Sequence, residues 1–155
     1  FGKASGWTAT QSLSSLDGSN GLIIYGRGEE YDHFASGCSS GDFNGDGIAD
    51  ILLGSPGADG EFNSADKTGE AYVVFGKASG WTATQSLSSL DGSNGLIIYG
   101  RGEEYDHFAS GCSSGDFNGD GIADILLGSP GADGEFNSAD KTGEAYVVFG
   151  KASGW

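Results

Sequence analysis

A chain of 155 residues with 22 acidic and 7 basic side chains carries a formal charge of −15. Such a surface repels phosphate backbones and anionic headgroups, which argues against nucleic acid and membrane partners and in favour of cations. No apolar run approaches the roughly 18 residues of a membrane-spanning helix, and 37% hydrophobic with 12% aromatic content is too much for a disordered acidic chain.

Residues 1–74 recur without change at 75–148, and 149–155 open a third copy. A fixed period of this length marks an array, solenoid or propeller, in which each unit buries its apolar face against the next. The chain therefore divides into a first repeat 1–74, a second repeat 75–148 and the start of a third at 149–155. It contains no Met and no secretory leader, so it is expected to be a mature fragment or an excerpt of a longer array. Exact identity implies recent duplication, gene conversion or consensus design.

Along one repeat, short β-rich runs are bounded by Gly, Asn, Asp and Ser, and no ten residues keep helical spacing without a Gly. The first run is 22–25, Leu22-Ile23-Ile24-Tyr25. The second, 34–40, is made of small residues after Phe34. The third, 48–53, is interrupted by Asp50 and closed by Gly54-Ser55-Pro56-Gly57. The fourth, 71–75, is Ala71-Tyr72-Val73-Val74-Phe75. Four strands are the content of one propeller blade, so the predicted class is all-β, with four-stranded antiparallel blades. The small-residue run suits the innermost strand, which is crowded by its equivalents in other blades.

The connections 3–21 and 57–70 are polar and expected on the surface. Trp7 and Phe62 are their apolar exceptions; Trp7 is expected to pack down as an anchor, the alternative being an exposed contact residue. Each repeat carries one cysteine, Cys38 or Cys112. A small buried hydrophobe is the expected role; a disulfide between modules or chains is the alternative, and equivalent positions in neighbouring modules usually sit too far apart for it.

The strongest local signal is Asp42-Phe43-Asn44-Gly45-Asp46-Gly47-Ile48-Ala49-Asp50, repeated as Asp116, Asn118, Asp120, Ile122 and Asp124. Oxygen side chains stand at positions 1, 3, 5 and 9, and glycine follows position 5. A hard divalent cation takes six to eight oxygens at about 2.3–2.6 Å, and ligands on alternate residues of a tight loop point to one centre. The backbone carbonyl of Ile48 would supply position 7, as in an EF-hand loop. Position 12 is Leu53 rather than Glu, and strand-like runs flank the loop, so this is a predicted calcium loop between strands. Three carboxylates favour Ca²⁺ over Mg²⁺, and the absence of His and Cys from the loop disfavours zinc. The metal-free alternative is an Asx-rich turn.

The order Phe34-Ala35-Ser36-Gly37, the Asp42–Asp50 loop, Gly54-Ser55-Pro56 and Tyr72-Val73-Val74-Phe75-Gly76 resembles the FG-GAP repeat of integrin α-type propellers. The connection Phe75-Gly76-Lys77-Ala78-Ser79-Gly80-Trp81 is similar to bacterial tandem arrays of that repeat. The resemblance covers the whole chain. It departs in the stretched FG, in Ser55 within the GAP, and in number, since the resemblance implies a ring of about seven blades and this chain holds two repeats. It implies a calcium-stabilised structural or adhesive module, extracellular or at the cell surface, and no enzyme.

Two repeats cannot close a ring. One orphan outer strand, a full set of four and a final set of three are predicted in chain order, so copies of the chain are the expected partners, in a ring or a filament. A lectin-like propeller, with glycan sites around Trp7, Tyr31 and the acidic loops, is the main alternative; a glycan or cell-surface protein would then be the partner. A designed symmetric propeller without a ligand is the other. Asp32-His33 invites a catalytic reading, but neighbours on a strand face opposite ways. Glu29-Glu30 is expected as solvated surface, and Gly26-Arg27-Gly28, which lacks the Asp of an Arg-Gly-Asp motif, is given no recognition role.

Overall fold

The computed structural model describes residues 2, 5, 9–28, 30–61, 66–101, 103–135 and 141–155. The expected places of Trp7, Phe62 and Glu29 lie outside them. The described chain is all-β: β1 (Ile23–Tyr25), β2 (Cys38–Gly41), β3 (Asp50–Ser55), β4 (Glu70–Val74), β5 (Thr84–Ser86), β6 (Gly95–Tyr99), β7 (Gly111–Gly115), β8 (Asp124–Ser129) and β9 (Glu144–Val148). Short 3-10 turns lie at Leu13–Ser15 and Leu87–Ser89. No described helix is long and apolar enough to cross a membrane.

One blade is complete. Its order is β2-β3-β4-β6, every neighbour antiparallel, with Leu53 opposite Tyr72 and Val73 opposite Leu96. The outermost strand β6 comes from the second sequence repeat, the other three from the first. The second blade has three described strands, β7-β8-β9. Side chains alternate across a strand, so Ala71 and Val73 look toward one face of the complete blade and Tyr72 and Val74 toward the other. All five residues of β4 are buried, which makes this sheet a layer covered on both sides.

On one face, Leu52, Ala71, Val73 and Phe43 form a core with Phe108, Ala109, Ile125 and Leu127 of the second blade. On the other, Tyr72, Val74 and Leu87 gather Ile24, Phe34, Ile51, Trp81, Leu90 and Ile97. Burying a side chain of this size contributes about 1.5–3 kcal/mol. Where the blades meet, glycine is a steric requirement: a Cβ on Gly54 would run into the Ala109 carbonyl oxygen. The small innermost strands lie side by side as predicted, with the Ser39 and Ser114 hydroxyls sharing a 3.0 Å hydrogen bond and Ser114 Oγ donating to the Ser40 carbonyl at 2.7 Å.

Four details differ from the sequence expectation. The second run enters the sheet only at Cys38, because Tyr31, His33 and Ala35 adopt left-handed φ of 67°, 51° and 62°. That turn is held by the Asp32 carbonyl, which accepts from Gly57 N at 3.0 Å and Ser55 Oγ at 2.9 Å; Asp32 and His33 are thus not strand neighbours. The third run starts two residues late, since the Asp42–Asp50 loop uses Ile48 and Ala49. An unforeseen strand, β5, lies in the long connection and pairs in parallel with β1, Ile23 opposite Thr84. Finally, Cys38 is exposed and Cys112 half-buried, both as free thiols. Cys112 packs against Gly37 and Gly54 of the neighbouring blade, a cover that Cys38 lacks.

Candidate functional site

The two nine-residue loops lie at equivalent corners, each between the inner strand and the second strand of its blade. Gly45 and Gly47 take φ of 71° and 85°, and Gly119 and Gly121 take 77° and 88°, a region closed to most side chains. These left-handed residues fold the loop back so that its carboxylates meet its own backbone.

Asp42 accepts from Asp46 N at 3.0 Å and from Gly47 N at 2.8 Å. Asn44 Oδ1 accepts from Asp46 N at 3.0 Å, and its Nδ2 donates to Asp46 Oδ2 at 3.1 Å. Asp46 Oδ1 accepts from Ile48 N at 2.8 Å. The second loop repeats the pattern: Asp116 with Asp120 N (3.1 Å) and Gly121 N (2.9 Å), Asn118 with Asp120 N (2.9 Å) and Asp120 with Ile122 N (2.8 Å). The tip therefore gathers Asp42, Asn44 and Asp46, or Asp116, Asn118 and Asp120, into one network.

Asp50 is placed differently. It is wholly buried and its carboxylate accepts three backbone N–H groups: Phe43 at 2.8 Å, Asn44 at 3.3 Å and Gly76 at 2.7 Å. Asp124 holds Phe117, Asn118 and Gly150 in the same way, at 2.8, 3.3 and 2.9 Å. This aspartate ties the loop base to the chain two residues beyond the blade's third strand. Burial pushes the Asp50 carboxyl above its ordinary range, against the pull of the three N–H donors.

Among the described residues, no group of three or more acidic, His or Cys side chains is gathered closely enough to hold a metal ion. The donor chemistry nevertheless fits a hard cation. Every side chain at the tip offers oxygen, and a carboxylate oxygen that accepts one N–H keeps a second lone pair. Asp50 Oδ1, with one N–H donor, is in that position. Asp42, Asn44 and Asp46, with Asp50 and the Ile48 carbonyl, are the residues that would hold the ion; Asp116, Asn118, Asp120, Ile122 and Asp124 are their copies.

A second polar constellation was not legible in the sequence. Arg27 Nη1 lies 3.3 Å from Glu70 Oε2, Glu70 is buried, and the Tyr72 hydroxyl donates to the same carboxylate. Burial first, then the bond to Glu70, pushes the Tyr72 hydroxyl above its ordinary range. Arg101, Glu144 and Tyr146 repeat the arrangement nearer solvent. Spacing alone could not announce it, because 43 residues separate the arginine from its acid. His107 belongs to the scaffold: its Nδ1 lies 3.3 Å from the Pro56 carbonyl oxygen.

The repeat's tryptophan is an anchor where it is described. Trp81 is half-buried against Tyr72, Val74 and Leu87. Its Nε1 donates to the Lys77 carbonyl at 3.1 Å, and the Lys77 ammonium stands 4.7 Å from the ring centre. Tyr31 is exposed.

Residues 34–74 and 108–148 match the FG-GAP repeat family. The chain is 28% identical over 145 residues to a phosphatidylinositol-glycan-specific phospholipase D of Dictyostelium discoideum, covering 86% of this chain and 14% of that protein. Its bovine namesake is 30% identical over 116 residues, 75% of this chain and 13% of the relative. Chicken integrin alpha-V is 28% identical over 128 residues, 79% of this chain and 10% of the integrin. The chain thus spans less than a sixth of the length of these relatives.

Proposed function

The chain belongs to the FG-GAP repeat family, and we propose on that footing that it is a calcium-stiffened structural or adhesive module of propeller blades, working outside the cell. It performs no chemistry of its own. The similarity to phospholipases D runs through the repeat and covers only a small share of those enzymes.

The observation that carries this proposal is the pair of identical acidic loops, each folded by two left-handed glycines around Asp, Asn and Asp and tied to its blade by a buried aspartate. A cation at the tip would offset the mutual repulsion of three carboxylates within nine residues. The first loop also touches the next blade: Ala123 N donates to the Asp42 carbonyl at 3.0 Å and Lys151 N to the Phe43 carbonyl at 3.1 Å. An ion that rigidifies this loop therefore stiffens the join between blades, which is what a structural array requires. The half-buried, internally bonded Trp81 argues against a sugar-stacking surface built on that residue.

Calorimetric titration with Ca²⁺ tests the proposal. Two sites per chain are expected, one in each loop, and Asp46→Ala and Asp120→Ala should each remove one. By linkage, Ca²⁺ at ten times its dissociation constant adds about 1.4 kcal/mol per site, read as a higher melting temperature than in chelator. No heat of binding and an unchanged melt would end the calcium assignment.

A further inference from the structure

We propose that the Asp106 carboxylate is a proton-binding site at the join of the two blades: protonated, it fits the join, and ionised, it loosens it. The join then tightens in mild acid and slackens toward neutral pH. The inference rests on the blade reading above and is independent of the calcium assignment.

Asp106 stands at the centre of the segment that fastens blade to blade. The N–H groups of Tyr105, His107 and Phe108 donate to the carbonyls of Asp66, Lys67 and Thr68 in the first blade, at 2.8, 3.0 and 3.0 Å. Between them, the Asp106 carbonyl accepts from Gly131 N at 3.0 Å and from Ser129 Oγ at 3.0 Å in the second blade. Tyr105 and His107 hold left-handed φ of 65° and 51°, which side chains of this size adopt only where the surroundings impose it. A shift of Asp106 therefore disturbs bonds to both blades.

Its side chain is placed less favourably than its backbone. The residue is 5% exposed, and among the described residues no hydrogen bond ends on its carboxylate, the bonds it accepts running to its carbonyl. The carboxylate borders a cleft walled by Arg101, Glu103, Asp133, Glu144 and Tyr146, too narrow for a water-sized sphere. An ionised carboxylate that is neither hydrated nor bonded is costly, and taking up a proton removes the cost.

The neighbouring charges act in the same direction. Burial first, then Glu103 on the incoming chain, Asp133 after β8 and Glu144 on β9, push the Asp106 carboxyl above its ordinary range. Arg101 acts the other way, but its guanidinium stands 3.3 Å from Glu144, which also accepts from the Tyr146 hydroxyl. On the first-blade side, the Lys67 ammonium lies 5.6 Å from the Tyr105 ring centre, and the His107 ring meets the Pro56 carbonyl. Asp66 faces the segment with its carbonyl. The described carboxylates do not close round a metal ion, so the ligand this site takes is a proton.

A carboxyl raised in the folded state stabilises fully below the ordinary aspartate value of 3.8, and that stability is lost as pH rises through the folded value. Asp106→Asn keeps the shape and removes the titration. With calcium removed by chelator, the variant should melt above the wild type at neutral pH, and the gap should close as pH falls toward 3.8. Amide exchange, corrected for intrinsic rates, should be slower in the variant at Tyr105, His107 and Phe108 at neutral pH. Carboxyl-carbon NMR of the wild type follows Asp106 directly, should place its midpoint above 3.8, and decides even where the variant fails to fold. A midpoint at or below 3.8, a melting gap that does not change with pH, or unchanged exchange at the three amides overturns the inference and leaves the calcium titration untouched. A wild-type chain without β-structure by far-ultraviolet dichroism overturns the blade reading with it.

Discussion

Residues 43 and 117 are the same phenylalanine in the same loop, yet Phe43 is fully buried and Phe117 is 53% exposed. Leu87 is fully buried while its first-repeat copy Leu13 is 71% exposed. The local sequence is identical over the whole period, so neither propensity nor patterning separates these pairs. What differs is the neighbour: the complete blade has β1 and its surroundings on one face and the second blade on the other. Among the described residues, the second blade is covered on one face only. The comparison isolates the worth of inter-blade packing from everything encoded within a repeat.

Several substitutions sharpen that contrast, all measured by denaturant unfolding. The largest difference is expected for phenylalanine. Phe43→Ala should cost about 3–5 kcal/mol, the range for emptying a packed aromatic site, whereas Phe117→Ala should cost below about 1 kcal/mol, as exposed substitutions do. Equal losses would mean that the two blades are packed alike. Leu87→Ala against Leu13→Ala should follow the same pattern, about 2–5 kcal/mol against roughly zero.

Next comes glycine at the blade contact. Gly54→Ala has to push the Ala109 carbonyl aside and should cost about 1–3 kcal/mol. Around Gly128, the nearest atom a Cβ would meet is the Gly111 carbonyl oxygen at 3.9 Å, so Gly128→Ala should leave the melt unchanged. If Gly128→Ala instead proves as costly, a neighbour covers that face of the second blade in solution.

The smallest effect concerns the thiols. Burial against the first blade pushes the Cys112 thiol from its ordinary value to about 11, while Cys38 is exposed. Iodoacetamide at mildly alkaline pH should label Cys38 first, read by mass spectrometry of the digested peptides. A raised thiol pKa stabilises the fold while the thiol is protonated, so Cys112 should contribute stability that is intact below about pH 9 and lost as pH rises toward 11. Labelling at equal rates would place both cysteines in equivalent surroundings.

Much of the fold was legible before any coordinates. The period, the β-runs of residues 22–25 and 71–75 and the glycine-closed acidic loop follow from alternation and turn chemistry, which act over a few residues. The small-residue strand was foreseen on steric grounds, and the Ser39–Ser114 contact agrees. What escaped was non-local. Strand β5, Thr84-Gln85-Ser86, has no apolar pattern and exists through its pairing with β1. The three left-handed residues at 31, 33 and 35 are imposed by docking on the Ser55–Gly57 corner. The Arg27–Glu70–Tyr72 set joins residues too distant in sequence to be associated by spacing. Within the loop, the sequence treated Asp42, Asn44, Asp46 and Asp50 alike, while the fold gathers the first three at the tip and buries Asp50 under three N–H donors.

By itself, the sequence determined what each repeat is: short strands, their order, and an oxygen-lined turn, all set by interactions within a few residues. Only the tertiary structure decided which copy of each residue is buried, because burial depends on the neighbouring blade and two identical repeats do not have identical neighbours. Phe43 and Phe117 differ for that reason alone, and so do Leu87 and Leu13.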